Sequence, residues 1–280
     1  MKAKKTMAEI TDFPIKTESI DRLLTTKSIA RNIIYLETTG SSNDDCALLG
    51  RQGAPHGSLV IAEKQEKGKG RRGRTWVSPP FKNIFMSLLV RPNVDPANVS
   101  MLTLVFAISV CEGVKDVTGV SPSIKWPNDA VINGHKIVGI LTELHMKAEN
   151  PGQIDCVVIG TGINVNQESF DDAIRATAGS LFTETGRSVD RNKVIAAVMN
   201  HFEEDYDLYL QKENLELLKD KYESMLINLG REVRVIDPKG DFTGVSRGIT
   251  DTGELIVETA SGIRAINSGE VSVRGLYGYV

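Results

Sequence analysis

From Asn32 onward, short β-branched and apolar runs alternate with longer stretches whose apolar positions recur every three or four residues. Runs at 33–36, 58–63, 83–90, 123–126, 136–143 and 156–163 have strand length and mostly lie next to Gly, Pro, Asn or Asp, which predicts six strands. Residues 99–117 put Leu102, Val105, Ile108 and Ser109 on one helical face, with Asp95-Pro96 as a start signal. Asp190 is placed to cap a helix over 191–210, where Val194, Ile195, Val198, Met199, Phe202 and Tyr206 form an apolar stripe and Glu203, Glu204 and Asp207 point away. A third helix is predicted over 214–226, with Leu215, Leu218, Tyr222 and Leu226 inward. The fold class this predicts is α+β, a mixed sheet packed with helices.

After Leu229-Gly230 the period changes to two. Val233/Val235, Val245, Leu255/Val257, Ile263 and Val271/Val273 are separated by turn signals at 237–240, 251–253 and 261–262. So many strands in so short a stretch predict a small closed barrel, because they cannot cover an open two-layer sheet. The start of the chain is polar and weakly patterned apart from a short helix near 18–24. The organisation read here is an extension over 1–31, a main domain over 32–229 and a small β-domain over 230–280.

The composition, 280 residues with 41% hydrophobic and 25% charged, fits one large domain plus a small one and excludes global disorder. The longest nearly apolar run, 101–111, is too short to span a bilayer, and the basic start is followed by Glu9 and Asp12 instead of an apolar segment. A cytoplasmic protein without membrane contact is expected. Cys46, Cys111 and Cys156 lack metal-ligand or redox spacing and read as buried thiols. A net charge of −3 argues against broad nucleic-acid binding, so any anion site is local.

The strongest local feature runs from Glu63 through Gln65, Gly68, Lys69, Gly70, Arg71, Arg72, Gly73 and Arg74 to Trp76, directly after a predicted strand. Three glycines interleaved with four cations are expected to hold no regular element, yet to wrap an anion with backbone N–H groups and guanidinium forks. The spacing of a P-loop is absent. A solvated basic loop or nucleic-acid patch fits the composition equally well.

Three further segments carry polar groups. Lys125-Trp126-Pro127-Asn128-Asp129 precedes an Asn133-Gly134 hairpin signal, which puts Lys136 at the start of the returning strand. A single Lys there is ordinarily a solvated edge residue; the company of Asn128 and Asp129 brings a cation, an amide and a carboxylate into one unit. Gly40-Ser41-Ser42-Asn43 opens a short helix through Leu49, where one residue is explained as an N-cap and three small polar groups also suit a pocket. Gly160-Thr161-Gly162-Ile163-Asn164 reads as close strand packing.

In this order, the four segments resemble the biotin–protein ligase family, which shares its fold with lipoate–protein ligases and class II aminoacyl-tRNA synthetase cores. The resemblance spans roughly residues 33–274 and implies that the C-terminal unit is an SH3-like domain. It implies a ligase that makes biotinyl-5′-AMP from biotin and ATP, with Mg²⁺, and passes biotin to a lysine of a carboxylase carrier domain. Ser41, Ser42, Asn43 and Gln65 match contacts to the biotin head group, with Gly139 lining the pocket. Gly68, Gly70, Arg71, Arg72 and Arg74 match the loop around the biotin carboxylate and adenylate phosphate, and Trp76 its exit. Lys136, Arg71 and Asp129 take the catalytic positions, Asn128 and Asp129 those of phosphate positioning and acceptor orientation; the metal ligands stay unassigned.

Two substitutions depart mildly from the family pattern: Lys69 stands where many relatives have Arg, and Ser42 where Thr is commoner. The start of the sequence is too short for the winged helix-turn-helix of members that also repress transcription, so no DNA binding is expected. Lipoate–protein ligase is the rival enzyme, a nucleic-acid-binding module the rival without catalysis, and sheet edges leave a homodimer open.

Overall fold

In the computed structural model, which describes residues 13–269 and 271–275, seven strands form one mixed sheet. They are β1 (Asn32–Thr39), β2 (Ser58–Gln65), β3 (Ile84–Val90), β4 (Ser123–Lys125), β5 (Asp129–Ile132), β6 (His135–Met146) and β7 (Ile154–Ile163). Their order is β1-β2-β3-β7-β6-β5-β4, with β1 and β2 parallel and the other pairs antiparallel. All six predicted strands are present, and the hairpin signal is met by Asn133 and Gly134 with φ of 51° and 83° between β5 and β6.

The two faces of the sheet are covered unequally. One carries α3 (Leu102–Thr118) and α5 (Arg191–Lys212), packed on each other through Phe106, Phe202, Tyr206 and Tyr209 and on the sheet through Leu59, Ile61, Ile159 and Ile163. The stripe of α5 formed by Val194, Ile195, Val198, Met199 and Phe202 is fully buried. The opposite face carries only the ten-residue α2 (Ser42–Arg51), whose Cys46 and Ala47 pack on Val60, Leu89, Cys156 and Val158. Beyond α2 that face has no helix on it among the described residues. The three cysteines are buried thiols, and burial pushes Cys46 up to about 12.

Residues read as an extension join the main core. In α1 (Thr17–Leu23), which packs against α5, Ile20 is fully buried, as is Ile29; the Glu203 carboxylate accepts the backbone N–H groups of Lys27, Ser28 and Ile29 at 2.6, 2.7 and 2.9 Å. The predicted helix over 214–226 is shorter, α6 (Lys219–Met225), because Leu215 N donates to Asp251 O at 2.8 Å and Glu213 turns left-handed at φ 53°. Leu215, Leu218 and Tyr222 are nonetheless fully buried, as their spacing predicts.

The C-terminal strands β8 (Glu232–Ile236), β9 (Phe242–Ile249), β10 (Leu255–Thr259), β11 (Gly262–Ile266) and β12 (Ser272–Gly275) form an antiparallel sheet ordered β11-β10-β9-β8-β12. No ladder joins β11 to β12 among the described residues, so the strands predicted for a closed barrel are all there without a fully closed hydrogen-bond circuit. This unit does not hang free. Val233, Val235, Leu255 and Val257 belong to the main apolar core, and Trp126 Nε1 donates to Gly253 O at 3.0 Å.

Candidate active site

Glycines on alternate positions of β6 and β7 floor the uncovered half of the α2 face. Gly139 pairs with Gly162 and Leu141 with Gly160, so the three glycines share one face and leave a depression. A Cβ on Gly160 would sit 1.9 Å from Asn43 Oδ1, and one on Gly162 2.4 Å from the Trp76 ring. The Gly160-x-Gly162 repeat, read from sequence as packing, therefore shapes a cavity; its period of two was the signal.

The wall above this floor is the start of α2. Ser41 occupies the cap position with extended backbone, but its side chain makes no capping bond, so helix capping does not account for it. Ser42 donates from N and Oγ to Gln65 Oε1 at 2.9 and 3.0 Å, and Gln65 Nε2 donates to Ser78 Oγ at 3.1 Å. Asn43 donates to Glu143 Oε2 at 2.6 Å and accepts from Ser87 Oγ at 2.6 Å. Ser41, Ser42 and Asn43 are buried and Gln65 is half-buried, so the neutral groups are fixed in place at the edge of the core.

Residues after Gln65 form a narrow hairpin and not the irregular loop expected. Lys69 bridges to Thr75, Gly70 N donates to Arg74 O at 2.7 Å, Trp76 N donates to Gly68 O at 2.9 Å, and a 3₁₀ turn over Arg71–Gly73 closes the tip. Left-handed corners at Arg72 (φ 60°) and Gly73 (φ 70°) give the reversal. Although 68–73 spell G-x-G-x-x-G after a strand, no helix opens there, so the dinucleotide-binding geometry is absent. The hairpin lays Trp76 over Gly139 and Gly162, with its buried Nε1 lacking a hydrogen-bond partner. Lys69 pairs with Asp44 of α2, and that bond raises its pKa.

Two cavities meet beneath this hairpin. The smaller, about 50 Å³, is walled by Ser41, Ser42, Asn43 and Gln65 and floored by Gly139, Gly160 and Gly162. The larger, about 310 Å³, runs from the hairpin to strand β12 and has an apolar end at Val77, Phe170 and Ile174. Gly70, Arg71, Trp76, Asn128 and Lys136 line both. Lys136 Nζ lies 2.6 Å from Asp129 Oδ1 and 5.4 Å from the Trp76 ring centre. Arg71 donates to Asn128 Oδ1 at 2.7 Å and to Ser268 O at 2.5 Å, while burial lowers its pKa.

The structure thus gathers Ser41, Ser42, Asn43, Gln65, Gly70, Arg71, Trp76, Asn128, Asp129, Lys136 and Gly139 around one junction. Gly68 lines neither cavity; a Cβ there would meet Trp76 O at 2.4 Å, so it shapes the hairpin. Arg72 and Arg74 line the larger cleft as exposed residues at its rim. Reading the sequence missed Lys125 and Arg274, which also line that cleft. Lys125 stands within the motif that was singled out, whereas no local pattern marks Arg274. Among the described lining residues Asp129 is the sole carboxylate, and no cluster of His, Cys, Asp and Glu suited to a metal occurs among the described residues. The donor set therefore does not build a protein cage for a cation.

Two family profiles match the chain: the biotin/lipoate A/B protein ligase family over residues 38–164, and the biotin protein ligase C terminal domain over 229–274. The chain is 38% identical over 252 residues to the bifunctional ligase/repressor BirA of Bacillus spizizenii, spanning 89% of this chain and 76% of that protein. It is 30% identical over 265 residues to the biotin--[acetyl-CoA-carboxylase] ligase of Mycobacterium tuberculosis, spanning 92% and 95%. Among solved structures, the biotin protein ligase from Aquifex aeolicus in complex with biotin and ATP superposes with a TM-score of 0.77 at 32% identity, covering 88% of this chain and 99% of that one.

Proposed function

The chain belongs to the biotin/lipoate A/B protein ligase family as a biotin–protein ligase, and on that premise we propose that it activates biotin as biotinyl-5′-AMP and passes the biotinyl group to one lysine of a biotin carboxyl carrier domain. The observation that carries this reading is the meeting of a small neutral cavity and a larger cation-lined cleft at Arg71, Asn128 and Lys136. Neutral donors and acceptors from Ser41, Ser42, Asn43 and Gln65 suit an uncharged ureido ring. Val77, Phe170 and Ile174 suit an adenine. As it stands, the smaller cavity is well below the ~300 Å³ of typical ligand pockets, so the head group enters as the Trp76 indole lifts from the glycine floor.

In the first step a biotin carboxylate oxygen attacks the α-phosphorus of ATP and the bond to the bridging oxygen breaks, with pyrophosphate leaving on that electron pair. Two anions approach each other, so the step needs fixed cations in a site from which water is excluded. Lys136, held by Asp129, and Arg71, held by Asn128, already stand at the junction. In the second step the acceptor amine attacks the acyl carbon, AMP departs, and the amine loses a proton; Asp129 orients that amine. The hairpin over the junction keeps water from the mixed anhydride between the two steps. Mg²⁺ brought in with ATP would neutralise charge on the leaving pyrophosphate.

The test is to incubate the protein with ATP, Mg²⁺, a biotin carboxyl carrier domain and either biotin or lipoate, and to weigh the carrier by mass spectrometry. Addition of one biotinyl group is expected. Lipoyl transfer without biotinyl transfer would sink the assignment in favour of the rival acid. A repressor role forms no part of this reading, and saturable operator binding in a gel-shift assay would refute that.

A further inference from the structure

Lys125 ends β4, and its Cα partner across the β4–β5 ladder is Asp129. Residues paired in this way project to the same face of a sheet, so Lys125 stands opposite the carboxylate that Lys136 contacts at 2.6 Å from the other side. Lys125 and Lys136 thus flank Asp129 from the two neighbouring strands. Lys125 is 6% exposed, yet it lines the larger cleft. It does not line the smaller cavity, whereas Lys136 and Arg71 line both.

This division sorts the cations by the charge they meet. An acyl adenylate keeps a single phosphate, at the junction, where Lys136 and Arg71 stand. The charge that leaves with pyrophosphate lies beyond the junction, within the larger cleft. Of the cations that line the cleft away from the junction, Arg72, Arg74 and Arg274 are exposed, and Lys125 alone is buried among the described residues. A buried cation beside two others and one carboxylate leaves an excess of positive charge that a polyanion neutralises.

We propose that Lys125 is the cation that receives the departing pyrophosphate, contacting the β- and γ-phosphates of ATP before the transfer and the free product after it. The proposal rests on the ligase reading and adds to it a leaving-group residue. When the bond between the α-phosphorus and the bridging oxygen breaks, the new charge on that oxygen develops beside a fixed ammonium whose surroundings are already dehydrated.

The electrostatics of the ligand-free site agree. Burial pushes Lys125 down to about 8, Asp129 opposes the shift, and Lys136, Arg274 and Arg71 add to it. The ammonium form binds the polyanion. As pH rises through about 8 the ligand-free protein loses that proton, so affinity for pyrophosphate falls and binding draws a proton from solution.

The test is the reverse reaction, in which biotinyl-5′-AMP and pyrophosphate with Mg²⁺ return ATP and biotin. For Lys125→Met the KM for pyrophosphate is expected to rise at least about tenfold, as for loss of a charge-assisted bond, while the Kd for biotinyl-5′-AMP changes less than about twofold. Lys125→Arg keeps its charge, so it should retain pyrophosphate affinity and lose the wild-type weakening above pH 8; it also controls for titration of pyrophosphate itself. An unchanged KM in the Met variant, or equal weakening of pyrophosphate and adenylate, overturns the proposal. Biotinyl-5′-AMP binding by the unsubstituted protein tests the ligase reading separately.

Discussion

The floor of the small cavity and the hairpin above it are held in different ways. The floor is sheet: Gly139, Gly160 and Gly162 lie inside ladders on both sides, and Asn43 above them is fixed by Glu143 and Ser87. The hairpin is held by a few backbone bonds, one half-buried ring and the two bonds of Arg71, and residues 72–75 are exposed. On the proposed reading, the neutral head group meets a surface built with the fold. The charged part would meet Lys136 on that rigid side and Arg71 on a segment with little of its own to lose on moving.

This contrast can be broken or sharpened by substitution. The largest effect is expected at Lys136, which belongs to the rigid side and faces the reacting centre: Lys136→Ala should slow adenylate formation about 10²–10³-fold, the usual loss for a fixed charge-stabilising group. Pyrophosphate release measures it, and a near-unchanged rate would remove Lys136 from the chemistry. Next comes the floor. Gly160→Ala puts a methyl group against Asn43 and should weaken biotin binding about 10–100-fold by calorimetry, in line with ~1–3 kcal/mol for overpacking. Wild-type affinity would show that the floor yields as easily as the hairpin. The smallest effect is expected on the hairpin side, where Arg71→Gly should leave biotin affinity within about twofold and speed adenylate dissociation about tenfold, the scale of one lost charged hydrogen bond. Leaked adenylate would label bystander lysines; no rise in such labelling contradicts the role given to the hairpin.

How far the sequence disclosed this architecture depends on the range of the signal. Strands, the two long helices and the five C-terminal strands are written in local periodicity, so residues such as Val194, Phe202 and Val257 lie where their spacing predicts. The start of the third helix was not legible, because Leu215 N bonds to Asp251 O, a partner 36 positions away in the chain. Motif order brought Ser41, Arg71 and Lys136 together before any coordinates did. Arg274 was invisible, since its place in the cleft depends on how the C-terminal sheet packs against the main one. The function of Gly160 and Gly162 was legible only in part, because packing and cavity formation ask for the same residue.

The hairpin's two feet stand on the same strand. At one foot Gln65 ends β2; at the other, Phe81 N donates 2.7 Å to Glu63 Oε1, two residues earlier on that strand, and Glu63 is locked by Arg191, a fully buried guanidinium 2.5 Å away. Mechanically this is a flap sewn along one edge. Because Arg191 also donates to Asn83 O at 3.0 Å, just before β3, the anchor of this flap is part of the main core, and a change at that anchor would alter how fast the flap opens.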